Sequence, residues 1–134
     1  MATMNDADRD SSLDLRKRTF DFAVRIVKLC HYLNEKPGVS RALAHQLLRA
    51  GTSIGVNVEA AQAGQGETDL HSHYGIALKE AHETHYWLRL LIATEVVSEA
   101  RLAELLSKAD ELARIIGAIM VSGKSGSGEM TIGE

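Results

Sequence analysis

Between Leu70 and Glu95, apolar and small side chains recur in alternating steps of four and three: Leu70, Tyr74, Ala77, Ala81, Thr84, Leu88, Leu91, Glu95. An α-helix turns once in 3.6 residues, so this ladder keeps one stripe facing its neighbours, whereas a strand would alternate every second residue. The flanks are apolar too, with Leu78 and Ile92 on one side and Trp87 on the other, and the outward rows still carry Ile76, Tyr86 and Leu90. Only the strip of Gly75, His82 and Arg89 suits water. A helix this apolar around its circumference needs more cover than one small bundle supplies, and the simplest cover is further copies of the chain.

The same period returns in three other segments. Phe22, Ile26, Leu29 and Leu33, with Phe20, Ala23, Val27 and Cys30 alongside, form one broad stripe of a first helix that ends at Asn34, Pro37 and Gly38. Proline lacks an amide donor and restricts the residue before it, which stops a helix. A second ladder runs Leu43, Leu47, Ala50, Ile54, Asn57, Ala61, and a fourth-helix ladder runs Leu102, Leu106, Ala109, Ala113, Ile116, Met120. Ser40, Thr68 and Ser98 are the expected N-caps of helices two to four. Lys79–Glu83, Glu104–Lys108 and Asp110–Arg114 are spaced for i,i+4 ion pairs. One proline and 4% aromatic residues also favour helix over sheet.

Four amphipathic helices joined by short loops predict an all-α, single-domain fold: an antiparallel, up-down-up-down, left-handed four-helix bundle. The expected division is a disordered acidic tail over residues 1–12, the bundle over 13–122 and a flexible Gly/Ser-rich tail over 123–134. A chain of 134 residues can bury one core without disulfides or metals, and the lone Cys30 excludes an internal disulfide framework. No apolar run nears the ~20 residues needed to span a bilayer, so no membrane association is expected. The acidic start is unlike a signal peptide, and the expectation is a cytoplasmic protein. A net charge of −3 lowers the prospect of a dedicated nucleic-acid binder, although acidic tails can mask a basic face.

Two polar features stand inside the helices. Gly51 and Gly55 sit one turn apart in helix two, each less favourable than Ala by up to ~1 kcal/mol in a helix interior, which points to close approach of a neighbouring backbone. Asn57 falls on the core ladder, where a buried amide needs a partner and can set register or subunit number.

The run Gln46-Leu47-Leu48-Arg49-Ala50-Gly51-Thr52-Ser53-Ile54-Gly55-Val56-Asn57-Val58-Glu59-Ala60 resembles the signature of the four-helix-bundle family of 23S rRNA intervening-sequence proteins. Ile76 to Leu91 resembles the second half of that signature, and Phe22 to Leu29 resembles its first helix. The resemblance implies a left-handed bundle assembled as a homopentamer, with no known enzymatic activity and a link to RNA or ribosomes drawn from gene position; no cofactor is expected. His82 and His85 stand where basic residues are common in the family, which makes any positive surface weaker and dependent on pH.

Gly51, Gly55, Asn57, Glu59, Glu80, Glu83, Tyr86, Trp87 and Leu90 are accordingly candidates for structural or oligomer contacts. Arg16, Lys17, Arg18, Arg25, Lys28, Arg41 and Arg49 are the basic concentration that could follow RNA phosphates if several copies presented it around a ring. Arg25 and His31 fit an Arg-x5-His spacing reminiscent of the RNA-cleaving HEPN domains, which leaves a ribonuclease as the enzymatic alternative. His71, His73, His82 and His85 invite a metal or small-ligand reading, but a bundle di-metal site needs Glu-x-x-His motifs and the chain contains none. The leading expectation is a non-enzymatic, self-associating scaffold with RNA as a candidate partner.

Overall fold

The computed structural model describes the backbone of residues 6–132 and the side chains of residues 6, 7 and 9–122. Four helices follow one another: α1 (Asp6–Asn34), α2 (Val39–Ala63), α3 (Glu67–Ala93) and α4 (Glu99–Ile132), with no strand among the described residues. The contacts fix their directions. From α1 to α2, Ser12 meets Gln62, Thr19 meets Gly55, Ile26 meets Gly51 and Cys30 meets Ala44. From α2 to α3, Gln62 meets Tyr74 and Arg49 meets Glu80; from α1 to α4, Arg18 meets Glu111 and Arg25 meets Glu104. Descending numbers on one helix against ascending numbers on the next define antiparallel neighbours, an up-down-up-down bundle.

The helix ends depart from expectation in places. α1 starts at Asp6, inside the stretch read as a disordered tail over residues 1–12. Asp6 and Asp10 suit the positive N-terminal end of a helix, Arg9 bridges to Asp6 at 3.6 Å, and Gln62 ties the Ser12 carbonyl to α2. α4 continues to Ile132, through most of the tail expected over 123–134, since extending an existing helix requires no new nucleus. Residues 1–5 and 133–134 of those two tails lie outside the described residues. The N-caps of α2 and α3 are Gly38 (φ 80°) and Gly66 (φ 95°) rather than Ser40 and Thr68. Both turns need a positive φ, which glycine adopts without the Cβ penalty. Ser98 does cap α4, its Oγ accepting from the Arg101 amide at 3.3 Å.

The core is built from the expected ladders: Ile26, Leu33, Leu47, Ile54, Leu88, Leu91, Leu102 and Ile116 are all fully buried. Two rungs of the α3 ladder are not. Leu70 stands at the exposed start of the helix, and Glu95 has left it with φ 62°. The Glu95 amide donates to the Ile92 carbonyl and the Val96 amide to the Leu91 carbonyl, the paired bonds of a Schellman end. Glu95 therefore occupies the left-handed position that usually falls to glycine. Phe20 and Val27, read as part of the α1 core stripe, also point outward, Phe20 at 61% exposure.

Gly51 and Gly55 explain how α1 and α2 close. A Cβ at Gly51 would stand 2.8–2.9 Å from the Ile26 γ-carbons, and one at Gly55 would stand 3.3–3.5 Å from Thr19, backbone carbon included. The close approach inferred from the glycine pair is thus made within the chain, between α2 and α1.

Candidate functional site

Helices α1 and α4 meet across a groove, and the sequence builds both of its walls. On α1 the positions 18, 21, 25, 28 and 32 advance by three and four, which aligns Arg18, Asp21, Arg25, Lys28 and Tyr32; Lys36 follows four residues on, just past the helix end. On α4 the same spacing aligns Arg101, Glu104, Lys108 and Glu111. Two ion pairs cross the groove, Arg25 to Glu104 at 3.1 Å and Arg18 to Glu111 at 3.2 Å. The groove holds two hollows, and Arg25 lines both. One, of about 160 Å³, is lined by Arg18, Asp21, Phe22, Arg25, Lys108, Glu111 and Leu112, so that its cations are nearly matched by acids. The other, of about 220 Å³, is lined by Arg25, Lys28, Leu29, Tyr32, Arg101, Leu102 and Leu105, with no carboxylate among its lining residues.

Tyr32 lines that second hollow. The Arg101 guanidinium carbon lies 4.3 Å from its ring centroid and the Lys36 ammonium 5.0 Å, both in cation–π range. Hydrogen bonding to Lys36 and the charge of that lysine, then the Arg101 guanidinium, hold the phenol below the ordinary tyrosine range. Neither Tyr32, Lys36 nor Arg101 was singled out from the sequence; the three-four spacing from Arg18 to Lys36 was the available signal.

The basic residues proposed for RNA are largely occupied. Lys17 pairs with Asp21 at 2.8 Å, which raises its pKa, and Arg18 pairs with Asp14 and Glu111. Arg25 pairs with Glu104, while Arg49 pairs with Glu80 and Glu83. Arg41 donates to the Asn34 carbonyl at 3.3 Å and caps the end of α1. Arg16 and Lys28 are exposed and reach no carboxylate among the described residues.

The polar residues of α2 and α3 form two small networks within the chain. Arg49 bridges from α2 to the buried Glu80 and to Glu83, and Glu83 also accepts from the Trp87 indole at 3.0 Å. Glu83 is therefore engaged by Arg49 and Trp87 rather than by Lys79, and Glu104 pairs with Arg25 rather than Lys108; Asp110–Arg114 forms as expected at 3.2 Å. Trp87 meets Tyr86 edge to face at 5.3 Å, and Arg89 lies over the Tyr86 ring. Asn57 donates to the Ser53 carbonyl and hydroxyl, and its carbonyl faces His73 Nδ1 at 3.2 Å. His73 Nε2 faces Asp69 at 3.5 Å, so both ring nitrogens are engaged. Glu59 is exposed and Leu90 half-buried.

Arg25 and His31, the residues of the ribonuclease alternative, both lie on α1. Six helical residues place them about 120° apart around α1, and Arg25 is drawn to Glu104. No cluster of three or more His, Cys, Asp or Glu residues suited to a metal occurs among the described residues. Cys30 is buried, its thiol donating to the Ala44 carbonyl at 3.3 Å, and burial pushes its pKa up to about 11. No described helix is long and apolar enough to cross a membrane.

The fold and its polar seams define a four-helix-bundle protein. The family described as 23S rRNA-intervening sequence protein matches residues 11–118, and the chain belongs to that family. Among solved structures it is similar to a protein of unknown function from the S23 ribosomal protein family of Bacteroides thetaiotaomicron, with 36% identity and a TM-score of 0.74. That match covers 79% of this chain and 97% of the other. No curated protein matches the chain.

Proposed function

We propose that the protein is a non-enzymatic scaffold that assembles from identical chains, a homopentamer as the family resemblance implies. The observation that carries this reading is the amount of large apolar side chain left in water on one chain. Thr19 and Gly55 touch at the α1–α2 seam, and the residues that follow them, Phe20 and Val56, stand out at 61% and 67% exposure. Val24, Val27 and Leu48 are exposed on the same two helices. On α3, Ile76 and Tyr86 are exposed, as the periodicity of that helix indicated, whereas Trp87 and Leu90 are half-covered by their own chain. Apolar patches of this kind mark interaction surfaces, and closed rings of one chain are a common way to cover them. The strongest candidate surface therefore includes the α1–α2 seam as well as α3.

RNA association is a second reading, favoured by the name of the family to which the chain belongs. It has to rely on cations that the fold leaves unpaired, since four of the seven basic residues first considered are held by carboxylates.

Light scattering coupled to size exclusion tests the assembly. The expected mass is several times that of one chain, and Phe20→Ser with Val56→Ser reduces it while far-UV helicity is retained. A wild-type monomer at micromolar concentration would overturn the reading.

A further inference from the structure

The two hollows of the α1–α4 groove differ in charge. Near Arg18 and Glu111 the cations and acids nearly balance. Near Tyr32 the lining holds Arg25, Lys28 and Arg101 over an apolar floor of Leu29, Leu102 and Leu105, and Lys36, in the α1–α2 loop, lies over the Tyr32 ring at 5.0 Å. Arg25 is held by Glu104, but Lys28, Lys36 and Arg101 reach no carboxylate among the described residues. This surplus occurs on a chain whose net charge is −3.

The placement of Arg101 strengthens the case. It is the third residue after the Ser98 cap, in the first turn of α4. The helix dipole disfavours a cation there, and a capping box would place Glu or Gln at that position. The side chain is committed instead to the Tyr32 ring, which Lys36 also approaches, and Lys28, one turn before Tyr32 on α1, lines the same hollow.

We propose that the Tyr32 end of the α1–α4 groove is an anion site that takes a phosphate group, held by Lys28, Lys36 and Arg101 beside the Tyr32 ring. A tetrahedral anion accepts from several donors at once, and the Arg101 guanidinium and Lys28 ammonium lining an open hollow, with the Lys36 ammonium over the adjoining Tyr32 ring, supply them. The same Lys36 and Arg101 charges that would hold the anion also hold the Tyr32 phenol below its ordinary range. The phosphate can belong to a small phosphorylated molecule or to the backbone of RNA; only the second source depends on the RNA reading above.

The test uses the full-length, isotope-labelled protein in its native assembly with two probes: inorganic phosphate and a fluorescein-labelled ten-nucleotide oligouridine without a terminal phosphate. Backbone amide shifts are followed by NMR, and RNA binding by anisotropy. The first variant combines Lys28→Gln, Lys36→Gln and Arg101→Gln. The second, Lys79→Gln with Arg89→Gln and Arg114→Gln, removes the same charge away from the groove. Shifts confined to Lys28, Tyr32, Lys36 and Arg101 with both probes support a site that recognises the phosphate group itself. Shifts with phosphate alone support a small-molecule ligand and remove RNA as the source; shifts with RNA alone support backbone recognition. Where RNA binds, the first variant weakens it on the order of tenfold or more at low salt and lowers the slope of log affinity against log salt by about 2, at roughly 0.7 per lost contact. The second variant keeps that slope. The proposal is overturned if neither probe moves these residues, if the shifts fall elsewhere, or if the first variant, folded by circular dichroism, binds like the wild type.

Discussion

Helix α1 closes against α2 and against α4 in opposite ways. Toward α2 it meets two glycines, and its contact atoms are the γ-carbons of Ile26 and the backbone and side chain of Thr19. Toward α4 it meets a row of charged side chains, and the helices are held apart by ion pairs with hollows of about 160 and 220 Å³ between them. A tight apolar seam leaves a substitution nowhere to go, because interiors are packed like crystals. A charged groove tolerates change and can admit a ligand. One helix therefore supplies stability on one side and an accessible surface on the other.

The largest effect should come from filling the seam. Gly51→Val places a branched side chain where even a Cβ stands under 3 Å from Ile26, and about 3 kcal/mol of stability should be lost, at the upper end of overpacking. Denaturant unfolding reads this, and a variant as stable as the wild type would mean the seam is looser than described. Cys30 reports the same seam by reactivity. Its thiol pKa is raised from 9.0 to about 11, so its thiolate population near neutral pH is smaller by about a hundredfold, and burial slows access further. Iodoacetamide should label it only after unfolding; rapid labelling of the folded protein would show that the seam opens.

On the groove side the effects should be small. A double-mutant cycle of Arg25→Gln and Glu104→Gln should return a coupling below about 1 kcal/mol, since this pair is largely exposed. A larger coupling would mean the groove is drier than its geometry indicates. Smallest is the titration of Tyr32. Its folded pKa lies below the unfolded one, so ionisation favours the fold: the gain appears as pH rises through the folded value and is complete above the unfolded value near 10. Absorbance near 295 nm should show an early ionising phase that Tyr32→Phe abolishes, and the wild type should gain stability relative to that variant over this alkaline window. An ordinary tyrosine curve would contradict the cationic clustering.

The four ladders were legible because burial of a helix stripe depends only on local period; Ile26, Ile54, Leu88 and Ile116 all lie where their spacing placed them. The glycine pair was legible as a close approach, yet which helix approached was not. Phe20 was misplaced because α1 presents an apolar circumference wider than its own bundle can bury. Glu95 was misplaced because the ladder continues in sequence one step after the backbone has turned away. For the candidate site, Arg25 and Lys28 were visible, but Tyr32, Lys36 and Arg101 were not gathered with them. Arg101 lies 69 positions beyond Tyr32 in the chain, and no local pattern connects them.

From its residues alone the chain specifies an all-helical bundle, the number of helices and the faces they bury, since hydrophobic period and helix-stopping residues act over a few turns. Tertiary structure alone decides which charges are consumed. Arg18, Arg25 and Arg49 look equally free in sequence, but each finds a carboxylate on another helix, whereas Lys36 and Arg101 find the Tyr32 ring and Lys28 lines the hollow beside it. Pairing depends on separations of a few ångströms between distant segments, and only the packed chain sets those distances.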